Sequence, residues 1–419
     1  MRLRKIAALV AVAGVATPTL ATNGYFAHGY GMKSKGMAGV GIAAPQDSLA
    51  AATNPAGMVL VGSRMDVGLD WFQPIRDAEI TGNAMLGPSY TMDGNGKKDF
   101  FIPEFGYNKM LAPNMSVGVS VFGNGGMNTT YNNGVPLFGT SKAGVDLAQL
   151  FIAPTVAMKM PLAAMSMSCG ASLNLAYQRF KAEGLQNFDN GTYSASPGNV
   201  TNHGYDSSTG YGARVGCIAE VSPMVSIGAT YQTKTKMGKL DKYKGLFAEQ
   251  GGFDIPENYG VGIAVKPISA LTVAADIQRI NYSDVKSIGN PIDNLFAGNQ
   301  LGSSNGGGFG WRDMTVYKLG VSWQMNPNVT LRAGYSHGKQ PIPASQTLFN
   351  ILAPGIVEDH ATLGATWAVG PNSEVTVAYM HAFEKKVNGS GSIPMSFGGG
   401  EANLKMHENS LGIAYGLKF

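Results

Sequence analysis

The sequence predicts an all-β chain, a 14-stranded antiparallel transmembrane β-barrel with an N-terminal plug inside its lumen. Three observations predict it. Apolar residues alternate with small or polar ones in many separate segments. The links between these segments alternate between short and long. After the first 21 residues no apolar run is long enough for a membrane-spanning helix. Charged residues make up 14% of the chain and 57 of the 419 residues are glycine, which fits strands with one face to lipid and one to a lumen.

Residues 1–21 read as a secretory signal peptide. Arg2, Arg4 and Lys5 are the positive start, residues 6–15 the apolar stretch, and Thr19-Leu20-Ala21 the small-x-small cleavage pattern. The mature chain is expected to begin near Thr22. Residues 22–62 do not alternate and are dominated by small side chains such as Gly36, Ala38, Gly39, Gly41, Ala43 and Ala44. They end in Asn54-Pro55-Ala56, where proline breaks a short helical stretch. A compact low-charge segment of this kind suits a plug better than a disordered tail.

Residues 63–419 carry the barrel, with strands expected near 64–77, 100–111, 114–125, 146–160, 165–183, 209–221 and 224–238. Seven more follow near 256–266, 270–284, 312–325, 328–338, 358–369, 373–387 and 405–419. Met115, Val117, Val119 and Val121 alternate with Ser116, Gly118 and Ser120, and the last strand alternates down to Phe419. Six links are short and hold proline, as in Ala112-Pro113-Asn114 and Ser222-Pro223, whereas 79–99, 127–145, 185–208 and 285–311 are long and polar. Only a closed sheet leaves no unpaired backbone in lipid. An aqueous all-β sandwich would not explain the alternating loop lengths.

Parity places Asp66, Asp70, Glu104, Arg214, Glu220, Asp276, Lys318 and Arg332 on the lumen side, since a charge facing mid-bilayer lipid costs about 2–4 kcal/mol. The simplest role for them is a network of ion pairs joining barrel and plug. Cys169 and Cys217 fall on the fifth and sixth strands among apolar odd positions, so both thiols are expected to face lipid, and their even sum keeps them on one face and near enough to pair. A disulfide and two unpaired small apolar residues both fit.

The segment Gly36-Met37-Ala38-Gly39-Val40-Gly41, then Asp47, then Asn54-Pro55-Ala56, resembles the FadL/TodX family of outer-membrane transport proteins. The resemblance runs through the mature chain and includes the strand count. It implies a hatch carrying Asn54, Pro55 and Ala56. It also implies capture of hydrophobic molecules at extracellular loops and sideways release at an inward kink of the third strand. Gly123, Asn124, Gly125 and Gly126 stand where that kink belongs, and glycines there weaken pairing. Arg214, Lys318 and Arg332 are candidates to meet a carboxylate head group. Leu240, Tyr243, Leu246 and Phe247 recur at helical spacing in a long loop and are candidates for a capture groove. The polar loop at 185–208 is shorter than the one larger members of the family carry.

The expectation is therefore a passive uptake channel for fatty acids or hydrocarbons. It is monomeric, needs no cofactor, is surrounded by outer-membrane lipid and is inserted by the barrel assembly machinery. A porin for small polar solutes is the first alternative and an outer-membrane lipase the second. The lipase rests on Gly334-Tyr335-Ser336-His337-Gly338, a G-x-S-x-G match that ends a strand where a nucleophile elbow needs a strand-to-helix turn. There is no H-E-x-x-H metal motif, no basic block for nucleic acid, and Asp93-Gly94-Asn95-Gly96 reads as a turn rather than a calcium loop.

Overall fold

A computed structural model describes residues 23–162 and 165–419. The signal peptide and the expected start near Thr22 lie outside the described residues. The barrel strands are β1 Arg64–Asn83, β2 Phe100–Ala112, β3 Met115–Asn128, β4 Gly144–Leu162, β5 Met165–Glu183, β6 Asp206–Ser222 and β7 Val225–Gln232. They continue as β8 Asn258–Ile268, β9 Leu271–Ile280, β10 Met314–Asn326, β11 Val329–Gly338, β12 Asp359–Ala368, β13 Ser373–Val387 and β14 Glu401–Lys418. Each pairs antiparallel with the next, and β14 closes on β1 from Arg64↔Lys418 to Thr81↔Glu401. Two further short strands, Gly87–Asp93 and Lys236–Met237, belong to loops, so the barrel itself has 14 strands among the described residues.

Period-two alternation sets the register. On β14, Leu404, Met406 and Ser410 are buried while Leu411, Ile413 and Tyr415 are exposed at 46%, 54% and 43%. A slip of one residue would exchange the two sets, so a lumen on one side and lipid on the other hold the pairing.

Two strands outrun their expected ends furthest. β1 continues through part of the expected loop at 79–99 to Asn83 and doubles back through Gly87–Asp93. β14 starts at Glu401 rather than 405. Both extensions have polar outward residues, Glu79 and Thr81 on one and Glu401 and Asn403 on the other, while Ala78, Ile80, Ala402 and Leu404 on the inward face stay buried. The apolar alternation stops where lipid stops, although the strand goes on. β7 is shorter than expected and ends at Gln232.

Cys169 and Cys217 are register partners on β5 and β6 and form a disulfide. Labelling the unfolded, unreduced protein with a thiol reagent is expected to find no free cysteine. Two labelled thiols would contradict the pairing.

Candidate functional site

The N-terminal residues run inside the barrel against a wall made to receive them. Asn54 caps the turn Pro55–Val59 by accepting the Ala56 N–H at 3.1 Å. Its Nδ2 reaches the carbonyls of Ile42 at 2.8 Å and of Cys217 and Ala229 at 3.3 Å. One side chain thereby ties two stretches of the segment to β6 and β7. The wall beneath is glycine by necessity, because a Cβ on Gly216 would lie 2.2 Å from Asn54 Oδ1 and one on Gly170 2.5 Å from the Pro55 carbonyl carbon. Gly228 under Ile42 and Gly334 under Ala38 repeat the arrangement, with a Cβ meeting backbone at 2.4 and 2.5 Å.

The glycine-rich stretch has the same logic. Gly39 has φ +76°, and a Cβ there would sit 2.1 Å from the His28 carbonyl oxygen. Gly41 and Ile42 N–H donate to Asp276 Oδ2 at 2.8 and 3.1 Å. Lys35 pairs with Asp70 at 2.6 Å, Arg64 with Asp66 and Glu374 at 2.6 Å each, and the Ser48 N–H with Asp66 at 2.9 Å. Burial, with Asp66 beside it, pushes the Asp47 carboxyl above the usual carboxylate range.

The head-group candidates face the lumen, and each is already engaged. Arg214 donates to the Thr53 carbonyl at 2.9 Å, Lys318 to the His28 carbonyl at 3.1 Å, and Arg332 to Gln46 Oε1 at 2.7 Å. Their contacts are those of a network between wall and segment. Glu220 keeps the inward parity but lies near the strand end with Lys159 and Ser166, its side chain 37% exposed.

The wall is interrupted at β3. Pairing with β2 ends at Phe105↔Val121, so residues 100–104 of β2 pair with β1 but have no β3 partner. From residue 122 to 128 the alternation on β3 is lost and every residue is buried, so the strand has turned inward. Asn124 is the extra residue of a bulge, with Gly123 opposite Leu150 and Gly125 opposite Gln149 on β4. The freed edge is taken up by the N-terminal segment. Ala27 N–H donates to the Asn124 carbonyl and Gly126 N–H to the Tyr25 carbonyl, both at 2.9 Å. A Cβ on Gly125 would lie 2.0 Å from that Tyr25 oxygen. Arg76 to the Asn128 carbonyl at 2.8 Å and Lys97 to Asp146 at 2.9 Å bridge the break from its other side.

Behind the break lies a narrow, mainly apolar pocket. Phe72, Pro74, Arg76 and Met406 line it from the wall, Gly126 and Met127 from the turned strand, Trp311, Ala353 and Pro354 from loops, and Gly24 from the N-terminal segment.

Loops fill the space above, and the sequence reading missed the main one. In the loop at 339–358, Leu348, Phe349, Ile351, Leu352, Ile356 and Val357 are buried. Tyr131 donates to the Ile351 carbonyl at 2.7 Å and Trp311 Nε1 to Asn350 Oδ1 at 2.6 Å. An apolar run inside an otherwise polar long loop was the available signal. The expected capture face is not an open groove in this state. Leu240, Tyr243 and Phe247 are buried and Leu246 half-buried, with the Phe180 ring 4.9 Å from Tyr243 and 4.6 Å from Phe247. Such side chains lower their free energy by packing on neighbouring loops when no cargo covers them. Ser336 lies on β11 with Oγ 3.3 Å from His360 Nδ1, and the strand is not followed directly by a helix, so the nucleophile-elbow geometry is lacking.

The family described as outer membrane protein transport protein (OMPP1/FadL/TodX) matches residues 12–419. No curated protein sequence matches the chain. Among solved structures it is similar to the P. putida toluene transporter TodX, at 18% identity and TM-score 0.67 over 94% of this chain and 99% of that one. It is similar to a Pseudomonas aeruginosa FadL homologue at 16% identity and TM-score 0.70 over 94% and 100%. For the Ralstonia pickettii toluene transporter TbuX the values are 20% and 0.62 over 94% and 99%. Identities this low speak for a common fold. The family is one of transport proteins rather than enzymes, which sets the lipase alternative aside. By the match along almost its whole length, this outer-membrane β-barrel belongs to the OMPP1/FadL/TodX family of transport proteins.

Proposed function

We propose that the protein is a passive channel for small hydrophobic molecules, which enter through the extracellular loops, collect in the apolar pocket and leave sideways between β2 and β3. The observation that carries this reading is the loss of β2–β3 pairing beyond Phe105↔Val121, directly in front of the pocket. Each CH₂ removed from water contributes about 0.8 kcal/mol, enough to draw an apolar molecule into such a pocket without energy coupling. Exit through the wall then delivers it to lipid without a passage through water. Toluene transport by two of the solved relatives supports a small hydrophobic cargo. A porin for polar solutes needs an open aqueous lumen, and the buried N-terminal residues and the loop at 339–358 speak against one.

A deletion strain and its complemented counterpart test the reading on a fatty acid, an alkane and a monoaromatic hydrocarbon. Complementation is expected to restore uptake of at least one. Equal uptake with and without the protein on all three would refute it.

A further inference from the structure

We propose that the pocket behind the wall break selects hydrophobic molecules that carry a hydroxyl group, with Glu408 receiving that group. This deepens the channel reading and rests on it. Glu408 lies on the inward face of β14 and is 0% exposed. Its register partners are Pro74 on β1 and Ala382 on β13. Pro74 and Met406, the preceding inward residue of β14, are both in the pocket wall. Among the described residues, neither carboxylate oxygen of Glu408 has a hydrogen-bond partner. Other acids of the inner wall are bound: Asp66 and Glu374 to Arg64, Asp70 to Lys35, and Asp276 to backbone N–H groups. Arg76 lies diagonal to Glu408, opposite Met406, but spends its Nη atoms on the carbonyls of Asn128, Gly94 and Lys97. Its Nε is buried and also lacks a partner.

Buried polar groups nearly always have partners, so an unpaired carboxyl in the wall next to the pocket and an unpaired donor on a residue that lines it point to a ligand that reaches both. Phe72, Met406 and Trp311 ask for an apolar body. A hydroxyl is the smallest group that donates to a carboxylate and accepts from a guanidinium N–H. A plain hydrocarbon leaves both groups unpaired.

The test is equilibrium dialysis of the purified full-length barrel in detergent with radiolabelled 4-methylphenol and toluene, a pair that differs by the hydroxyl. The native protein is expected to prefer 4-methylphenol. Glu408→Leu is expected to weaken 4-methylphenol binding about tenfold and to leave toluene unchanged. Glu408→Gln, which keeps an acceptor, should recover part of the loss. Heat-resistant migration of each variant on a gel establishes that the barrel is folded. An equal effect on both ligands, or none on 4-methylphenol, overturns the hydroxyl assignment while leaving the channel standing. Binding of neither ligand by the native protein overturns the pocket reading itself.

Discussion

Deleting residues 24–56 is expected to turn a barrel that passes almost no current into a steadily conducting one, with conductance rising on the order of tenfold in planar bilayers. The reasoning is geometric. A 14-stranded barrel encloses more space than its own inward side chains fill, and here the inward side chains are often glycine. The N-terminal residues occupy the remainder, held by Asn54 on β6 and β7, by Asp276 on β9 and by Lys35 against Asp70 on β1. Their removal leaves a lumen lined by charges with no counterpart, which water enters. The strand pairs are untouched, so heat resistance should persist. An unchanged single-channel trace from a folded deletion variant would mean that this segment does not keep the lumen shut.

Replacing Gly125 and Gly126 by Val is expected to reduce uptake on the order of tenfold in a barrel that still folds. Two effects act together. β-Branched side chains favour regular pleated pairing, which draws the turned strand back toward β2. The new Cβ at residue 125 also meets the Tyr25 carbonyl, where only 2.0 Å is available, so the N-terminal residues must leave the strand edge. Gly191→Ala is the matched control, since a Cβ there meets nothing within 4 Å. Initial rates of uptake of a radiolabelled hydrocarbon measure the effect. Native rates in a folded double variant would count against release at this place.

The strand count and closure could be read from the sequence because the bilayer imposes a period of two on every spanning segment. The places where the reading fell short are those where lipid no longer imposes it. The outward residues of β1 beyond Gln73 are mostly polar, so 20 residues of strand were read as a shorter one. Parity and an approximate register sum allow a disulfide but leave two unpaired thiols equally open, and the fold decides for the bond between Cys169 and Cys217. Glycine abundance was visible, but its use was not. Only the fold shows that Gly170, Gly228 and Gly334 lie under backbone of the N-terminal segment. The charges at Arg214, Lys318 and Arg332 were legible as inward-facing, yet their partners in the N-terminal segment are backbone carbonyls and Gln46, which no spacing in the sequence announces. Glu408 was missed altogether, because an acid among polar outward residues at the outer end of a strand looks like one more solvated group. The loop at 339–358 escapes for the opposite reason, since length and glycine content do not reveal an apolar run that buries itself among neighbouring loops.

Sideways exit between β2 and β3 is the central claim, and blocking that face tests it most directly. Phe101 on β2 and Leu319 on β10 face outward with nearly equal exposure, 53% and 52%, the first beside the break and the second on unbroken wall. The native cysteines are joined to each other, so a maleimide reaches only an introduced thiol. Cells carrying Phe101→Cys or Leu319→Cys are labelled with a bulky maleimide, and the initial rate of hydrocarbon uptake is followed. Lateral release predicts that labelling at residue 101 brings uptake down to the level of the deletion strain while labelling at residue 319 leaves it unchanged. Equal uptake by the two labelled variants would contradict it.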